Sequence, residues 1–248
     1  MIEKYLPWLT AVFLLAVWEV MTRLFAIPAV ILPPPSSIAG IFVSDKVLLI
    51  MDNAVPTTIQ VLAGFLIAIM VAVLMAMVFS YFDRIRQAVV PYIIAFQVVP
   101  KIALAPVFIL WFGIGFMSRF AFVVFMCFFP IVISMATGLR EADAGIVKMC
   151  RSLGCTRLQI LFLVRLPFSA PYLFSSLKTA TTMALIGVIV SEFITADRGL
   201  GYLILWSASR LDTTLLMASI VMCCAIGVVI YGCVSLAERV VLHRLSMR

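Results

Sequence analysis

Apolar residues arrive along this chain in long blocks, and polar residues fall in the gaps between them. A helix needs about 20 consecutive apolar residues to cross the hydrocarbon core of a bilayer. Six stretches reach that length, at about 7–25, 57–79, 88–112, 117–137, 172–195 and 214–236. Gly and Pro inside them do not argue against helices, since both are commoner in membrane spans than in soluble helices. The pattern predicts an all-α integral membrane protein of about six transmembrane helices. The first block runs on through Trp18-Glu19-Val20-Met21 with no small-residue cleavage site. It therefore reads as a retained span and not as a signal peptide.

Two of the gaps carry patterns of their own. Residues 26–56 contain Leu32-Pro33-Pro34-Pro35-Ser36-Ser37, a stiff extended segment followed by a predicted helix start at Ser36 or Ser37. The loop of residues 138–171 lies between the fourth and fifth spans. In it Ile146, Met149, Cys150 and Leu153 recur at helical spacing, and so do Leu158, Leu161, Phe162 and Val164. Gly154 separates the two patterns, and Pro167 is expected to close the second. The loop reads as two short amphipathic helices joined by a tight turn. Pattern alone leaves two roles open: a helix resting on the bilayer surface, or one seated on a partner.

Composition supports the membrane reading. Of 248 residues 65% are hydrophobic and 12% charged, against about 25% charged in soluble domains. So few polar residues cannot clothe a globular surface. The formal charge is +7, but the cations sit at the ends of apolar blocks and form no basic stripe, which excludes nucleic acid as a partner. With the N-terminus in the cytoplasm, the inner segments hold eleven Lys and Arg and the outer segments four. That asymmetry favours both termini inside. The six cysteines match neither zinc-site spacing nor a disulfide scaffold and read as reduced packing residues. By length and pattern, residues 1–248 form a single transmembrane domain.

Candidate chemistry is sparse. No G-x-x-x-x-G-K-[ST] occurs, so the chain carries no P-loop for ATP. The one histidine, His243, stands in a basic tail, and neither a catalytic set nor a metal-ligand spacing is present. Ionisable residues inside apolar blocks are costly and therefore informative. Glu19 lies in the first block, Lys101 in the third and Glu192 in the fifth. Pro100 and Pro106 flank Lys101 and are expected to break the third span, and broken spans line cavities in many transporters. Gln97, Lys101, Ser191 and Glu192 are the candidates for lining a translocation path. Lys101, Glu192 and Glu19 could instead be structural, in an interhelical ion pair or, for the lysine, as a snorkelling cation, and Thr179, Thr181 and Thr182 read as packing hydroxyls.

The inner loop runs Lys148-Met149-Cys150-Arg151-Ser152-Leu153-Gly154, then nine residues, then Val164-Arg165-Leu166-Pro167. This resembles the signature of permease subunits of bacterial binding-protein-dependent importers of the ATP-binding cassette class. Their pattern is Glu-Ala-Ala, three residues, Gly, nine residues, Ile-x-Leu-Pro. The spacing from Gly to Leu-Pro is matched and Val164 replaces Ile, whereas Lys148, Met149 and Cys150 stand where the family has Glu-Ala-Ala. Pro100 to Pro106, Trp111-Phe112-Gly113-Ile114-Gly115, the Leu-Pro-Pro-Pro-Ser segment and Gly199-Leu200-Gly201-Tyr202-Leu203 are similar to the nitrate/sulfonate/taurine-type branch.

The resemblance implies a transport subunit that is not itself an enzyme, in the bacterial cytoplasmic (inner) membrane. It implies a second permease chain in a homodimer, two cassette ATPases that hold ATP and Mg, and an extracytoplasmic substrate-binding protein. It also implies ATPase coupling through Lys148, Cys150, Arg151, Ser152, Leu153, Gly154, Cys155, Thr156, Arg157 and Pro167. The cargo would be a small solute such as an organic or inorganic anion. A secondary transporter or a non-transporting structural subunit are the competing classes.

Overall fold

The computed structural model describes residues 2–195 and 197–246, except the side chains of residues 2–5, 7, 8, 195 and 246. All regular structure among them is helical. Four helices are long and apolar enough to cross a bilayer. They are α3 (Lys46–Tyr81), α6 (Phe116–Gly138), the continuous run Arg157–Ile194 and most of α11 (Thr213–Ser246). The block at 117–137 is met almost residue for residue. The others are longer than the sequence implied, because α3 passes through Pro56 and α11 continues into the basic tail. The block at 7–25 falls in α1 (Ile2–Leu24), part of which lies outside the described side chains.

The block at 88–112 is not one helix. It is α4 (Asp83–Val98), a single 3₁₀ turn (Lys101–Leu104) and α5 (Ala105–Phe112), and its two halves meet at 94°. Pro100 lacks an N–H and pushes Val99 into extended backbone, so the α-helix ends there. Pro106 does not break the chain again; it sits in the first turn of α5, where its missing N–H costs nothing.

The chain divides into two compact units. The first comprises Met1–Thr57 and Ala196–Ala225. In it α2 (Pro35–Ile41) starts at Pro35 with Pro34 as cap, not at a serine. Ser36 is occupied otherwise: its N–H donates to Glu19 Oε2 at 3.0 Å and its hydroxyl to Glu19 Oε1 at 2.7 Å. Arg23 Nε completes the cluster at 2.6 Å from Glu19 Oε1. Glu19 thus supplies the negative charge that a helix N-terminus attracts.

A second helix start is built the same way. The short apolar helix α10 (Leu200–Ser209) receives no local side-chain cap. Instead Gly199 N–H donates to Asn53 Oδ1, and Leu200 N–H donates to Thr57 Oγ1, both at 2.9 Å and both buried. Asp212 then caps α11 through Leu215 N–H at 3.1 Å and pairs with Lys46 Nζ at 2.8 Å. Burial pushes the Asp212 carboxyl up, but Lys46 and the Leu215 N–H outweigh it and hold the group below the usual carboxylate range.

The second unit comprises Thr58–Thr195 and Ile226–Arg248. Its core joins Phe79 of α3, Val123, Cys127 and Met135 of α6, and Ala180 and Ala184 of α9 (Leu166–Thr195). The α6–α9 seam is tight because small residues line it. A Cβ on Gly138 would stand 2.7 Å from Tyr172 Cβ, so only glycine permits this approach. Polar side chains then bond the neighbouring backbone, Ser134 Oγ to Tyr172 O at 2.8 Å and Cys127 Sγ to Ala180 O at 3.4 Å. Lys178 Nζ and Glu238 Oε2, 2.5 Å apart, tie α9 to α11. All six cysteines are reduced; Cys127 and Cys223 are buried, whereas Cys224 and Cys233 are exposed on α11.

Candidate functional site

The loop at 138–171 is organised by hydrogen bonds between near neighbours in the sequence. Asp143 opens α7 (Ala144–Ser152), its Oδ1 accepting from Ile146 N–H at 2.9 Å. The helix closes on Gly154 at φ +82°. Cys155 N–H donates to Cys150 O and Gly154 N–H to Arg151 O, both at 3.0 Å. This pair of bonds with a left-handed glycine is a Schellman closure. Two residues on, Thr156 and Gln159 form a reciprocal capping box that starts α8 (Arg157–Ile160). Five residues, Ser152 to Thr156, therefore join the two helices with their turn-facing backbone groups bonded locally, and the angle between the flanking helices is set by the turn itself.

The two-helix prediction for this loop holds for α7 and the turn, but not for the end of the second helix. Pro167 does not stop it. The chain runs from α8 through one π-helical turn, Leu161–Arg165, into α9 as a single helix over Arg157–Ile194. A proline removes one backbone donor, and the wider i→i+5 turn ahead of it, with Leu166 N–H bonded to Leu161 O, absorbs the misfit. The loop is thus one short helix joined through the Gly154 turn to the first turns of a long one.

The faces of α7 are also informative. Ile146, Met149 and Leu153, the apolar stripe read from the sequence, point outward, Leu153 with 75% of its surface exposed. Val147, on the opposite side, is the buried residue. Lys148, Arg151, Ser152, Thr156 and Arg157 are exposed around the stripe, and Cys150 and Cys155 are half-buried. A stripe of large apolar side chains ringed by cations has the character of a surface built for a partner.

Behind the turn, Arg151, Arg157 and Arg165 converge with Ser80 and Asp83 on a cleft of about 110 Å³. Arg165 Nη1 is fixed there by Ser80, at 3.1 Å from its carbonyl and 2.9 Å from its hydroxyl. The sequence does not signal this contact, because the partners are 85 residues apart.

The path candidates separate into two kinds. Gln97 is exposed at the end of α4, and Lys101 opens the 3₁₀ turn at the 94° break. Lys101 Nζ lies 5.1 Å from the centroid of the Phe129 ring, a cation–π contact. Ser191 and Glu192 are enclosed by protein, 3% and 1% exposed, with Ser191 Oγ bonded to Val188 O at 2.7 Å.

Residues 64–247 match the family model described as "Binding-protein-dependent transport system inner membrane component". The chain belongs to this family. The permease is 30% identical to the riboflavin transport system permease protein RibX of Chloroflexus aurantiacus, over 94% of this chain and 88% of that one. It is 28% identical to the formylaminopyrimidine transport permease protein ThiX of Halalkalibacterium halodurans, over 95% and 94%. It is 29% identical to the taurine transport system permease protein TauC of Escherichia coli, over 85% and 79%. Its fold matches a chain of the MetNI methionine ABC transporter in an inward-facing conformation, with a TM-score of 0.63 and 20% identity over 80% of the permease and 99% of that chain. The branch anticipated from the sequence is the one these relatives represent. The permease is the transport subunit of an ABC importer, not an enzyme.

Proposed function

We propose that two copies of this permease form the membrane passage of an importer in the bacterial inner membrane, with both termini cytoplasmic and the two units of each chain working as one domain. Two cassette ATPases, each holding ATP and Mg, drive it, and an extracytoplasmic binding protein delivers the cargo. The ATPases engage each permease at α7 and the Gly154 turn. One observation carries this reading: the apolar stripe of Ile146, Met149 and Leu153 is exposed beside a turn whose geometry is locally bonded. An exposed stripe supplies the contact, and a rigid hinge passes its movement on.

The cargo is a small organic anion, held at the 94° break where Gln97 is exposed and Lys101 brings a positive charge. In a low-dielectric passage one such charge outweighs many weaker contacts. Ser191 and Glu192 act from inside the packed helix, holding the outer part of α9 against its neighbours.

The test is reconstitution of permease, ATPase and binding protein in proteoliposomes, comparing wild type with Leu153→Asp and Met149→Asp. Both variants are expected to insert normally, to lose the ATPase on purification and to reduce uptake at least tenfold. Full ATPase retention and uptake by both would remove this loop from coupling.

A further inference from the structure

The arginine cleft behind the turn opens onto a second feature. Leu74 and Val78 of α3, with Phe82, Leu158 and Phe162, line an adjoining groove that presents only apolar surface. Tyr81 and Leu161 line both, so the polar and apolar parts adjoin. On the polar side three guanidiniums face one carboxylate, and that carboxylate, Asp83, has a cation of its own in Arg86, 3.6 Å away. The cleft is therefore left with excess positive charge and forked N–H donors, the chemistry that suits a phosphate group. On the apolar side the groove runs along the last turns of a membrane-spanning helix.

We propose that this composite site binds one acidic phospholipid of the inner leaflet. Its phosphate meets Arg151, Arg157 and Arg165, and an acyl chain lies along Val78 and Phe162. The charge imbalance and the shared walls argue for a lipid over a soluble anion, which would leave the apolar half uncovered. The bound headgroup would brace the start of the long helix against the end of α3, beside the coupling turn. The proposal rests on the orientation given above. The two can fail separately, because protease accessibility of the loop tests orientation, whereas lipid selectivity tests only the cleft.

The experiment is native mass spectrometry of the full chain from mixed micelles, using phosphatidylglycerol and phosphatidylcholine of identical acyl chains. Phosphatidylglycerol should be retained at least fivefold over phosphatidylcholine. Arg157→Gln and Phe162→Asp, both at exposed positions, should each abolish that preference, whereas Arg84→Gln, an exposed cation outside the cleft, should preserve it. Equal retention of the two lipids would overturn the proposal. So would a loss of preference with Arg84→Gln as large as that with Arg157→Gln, which would indicate diffuse charge. Displacement of phosphatidylglycerol by equimolar inorganic phosphate would overturn it too, showing a free-anion site.

Discussion

Asn53 Oδ1 accepts the N–H of Gly199 at 2.9 Å across 146 residues of sequence. Thr57, one helical turn further along α3, accepts the next N–H, that of Leu200. The start of α10 is therefore specified from another helix. Asn53→Leu keeps the side-chain size but leaves the Gly199 donor buried without an acceptor, which costs about 1–3 kcal/mol. Thermal unfolding in detergent should show a clear loss of stability. Asp52→Asn, the exposed neighbour, should stay within about 0.5 kcal/mol of wild type.

Gly154 holds φ +82° with open space where a Cβ would stand, so a substitution there meets a backbone cost and no clash. For valine that cost is about 1–2 kcal/mol, whereas asparagine tolerates the left-handed region. Gly154→Val should reach wild-type membrane levels yet uncouple uptake from ATP hydrolysis. Gly154→Asn should retain most uptake. Val147 serves poorly as a neutral reference on this loop, because it is buried; Val147→Ala should lower stability by about 1–3 kcal/mol.

The Lys178–Glu238 pair joins α9 and α11 with both side chains mostly covered. Removing one partner strands the other, so Lys178→Met and Glu238→Gln should each destabilise, by about 1–2 kcal/mol after allowance for their residual exposure. The double variant should recover part of the loss. A thermal-unfolding double-mutant cycle with zero coupling energy would show that the two charges do not interact.

Asp212 gives a pH signature. Its folded-state carboxyl lies below the ordinary value, so the stabilisation it brings is complete above the unfolded value of about 3.9. That stabilisation disappears as pH falls through the lower folded value. Asp212→Asn should therefore melt below wild type at pH 7, by no more than about 1 kcal/mol for a pair this exposed. The two melting curves should converge under strong acid.

The spans and the turn were legible in the sequence for opposite reasons. Spans show because lipid demands a long apolar block, and the turn shows because Gly154 and Thr156 act on their own neighbours. What stayed hidden depends on distant partners. The serine expected to start α2 is held by Glu19, 17 residues away. The cap of α10 lies further still, and a ten-residue apolar helix is too short to announce itself. Periodicity located the stripe of Ile146, Met149 and Leu153 but not the side it faces, since a buried face and a docking face read alike. Pro100 and Pro167 looked equivalent as helix breakers. Pro100 bends its span through 94°, whereas a π-turn carries the helix past Pro167.

That last continuity has a mechanical consequence. The run Arg157–Ile194 is 38 residues long, about 57 Å at 1.5 Å per residue. A beam of that length amplifies small rotations at its Gly154 end, so a tilt of about 10° would sweep its far end through about 10 Å. Glu192 rides near that end. A nudge at the Gly154 end thus becomes a stroke at the far end, with the helix as crank.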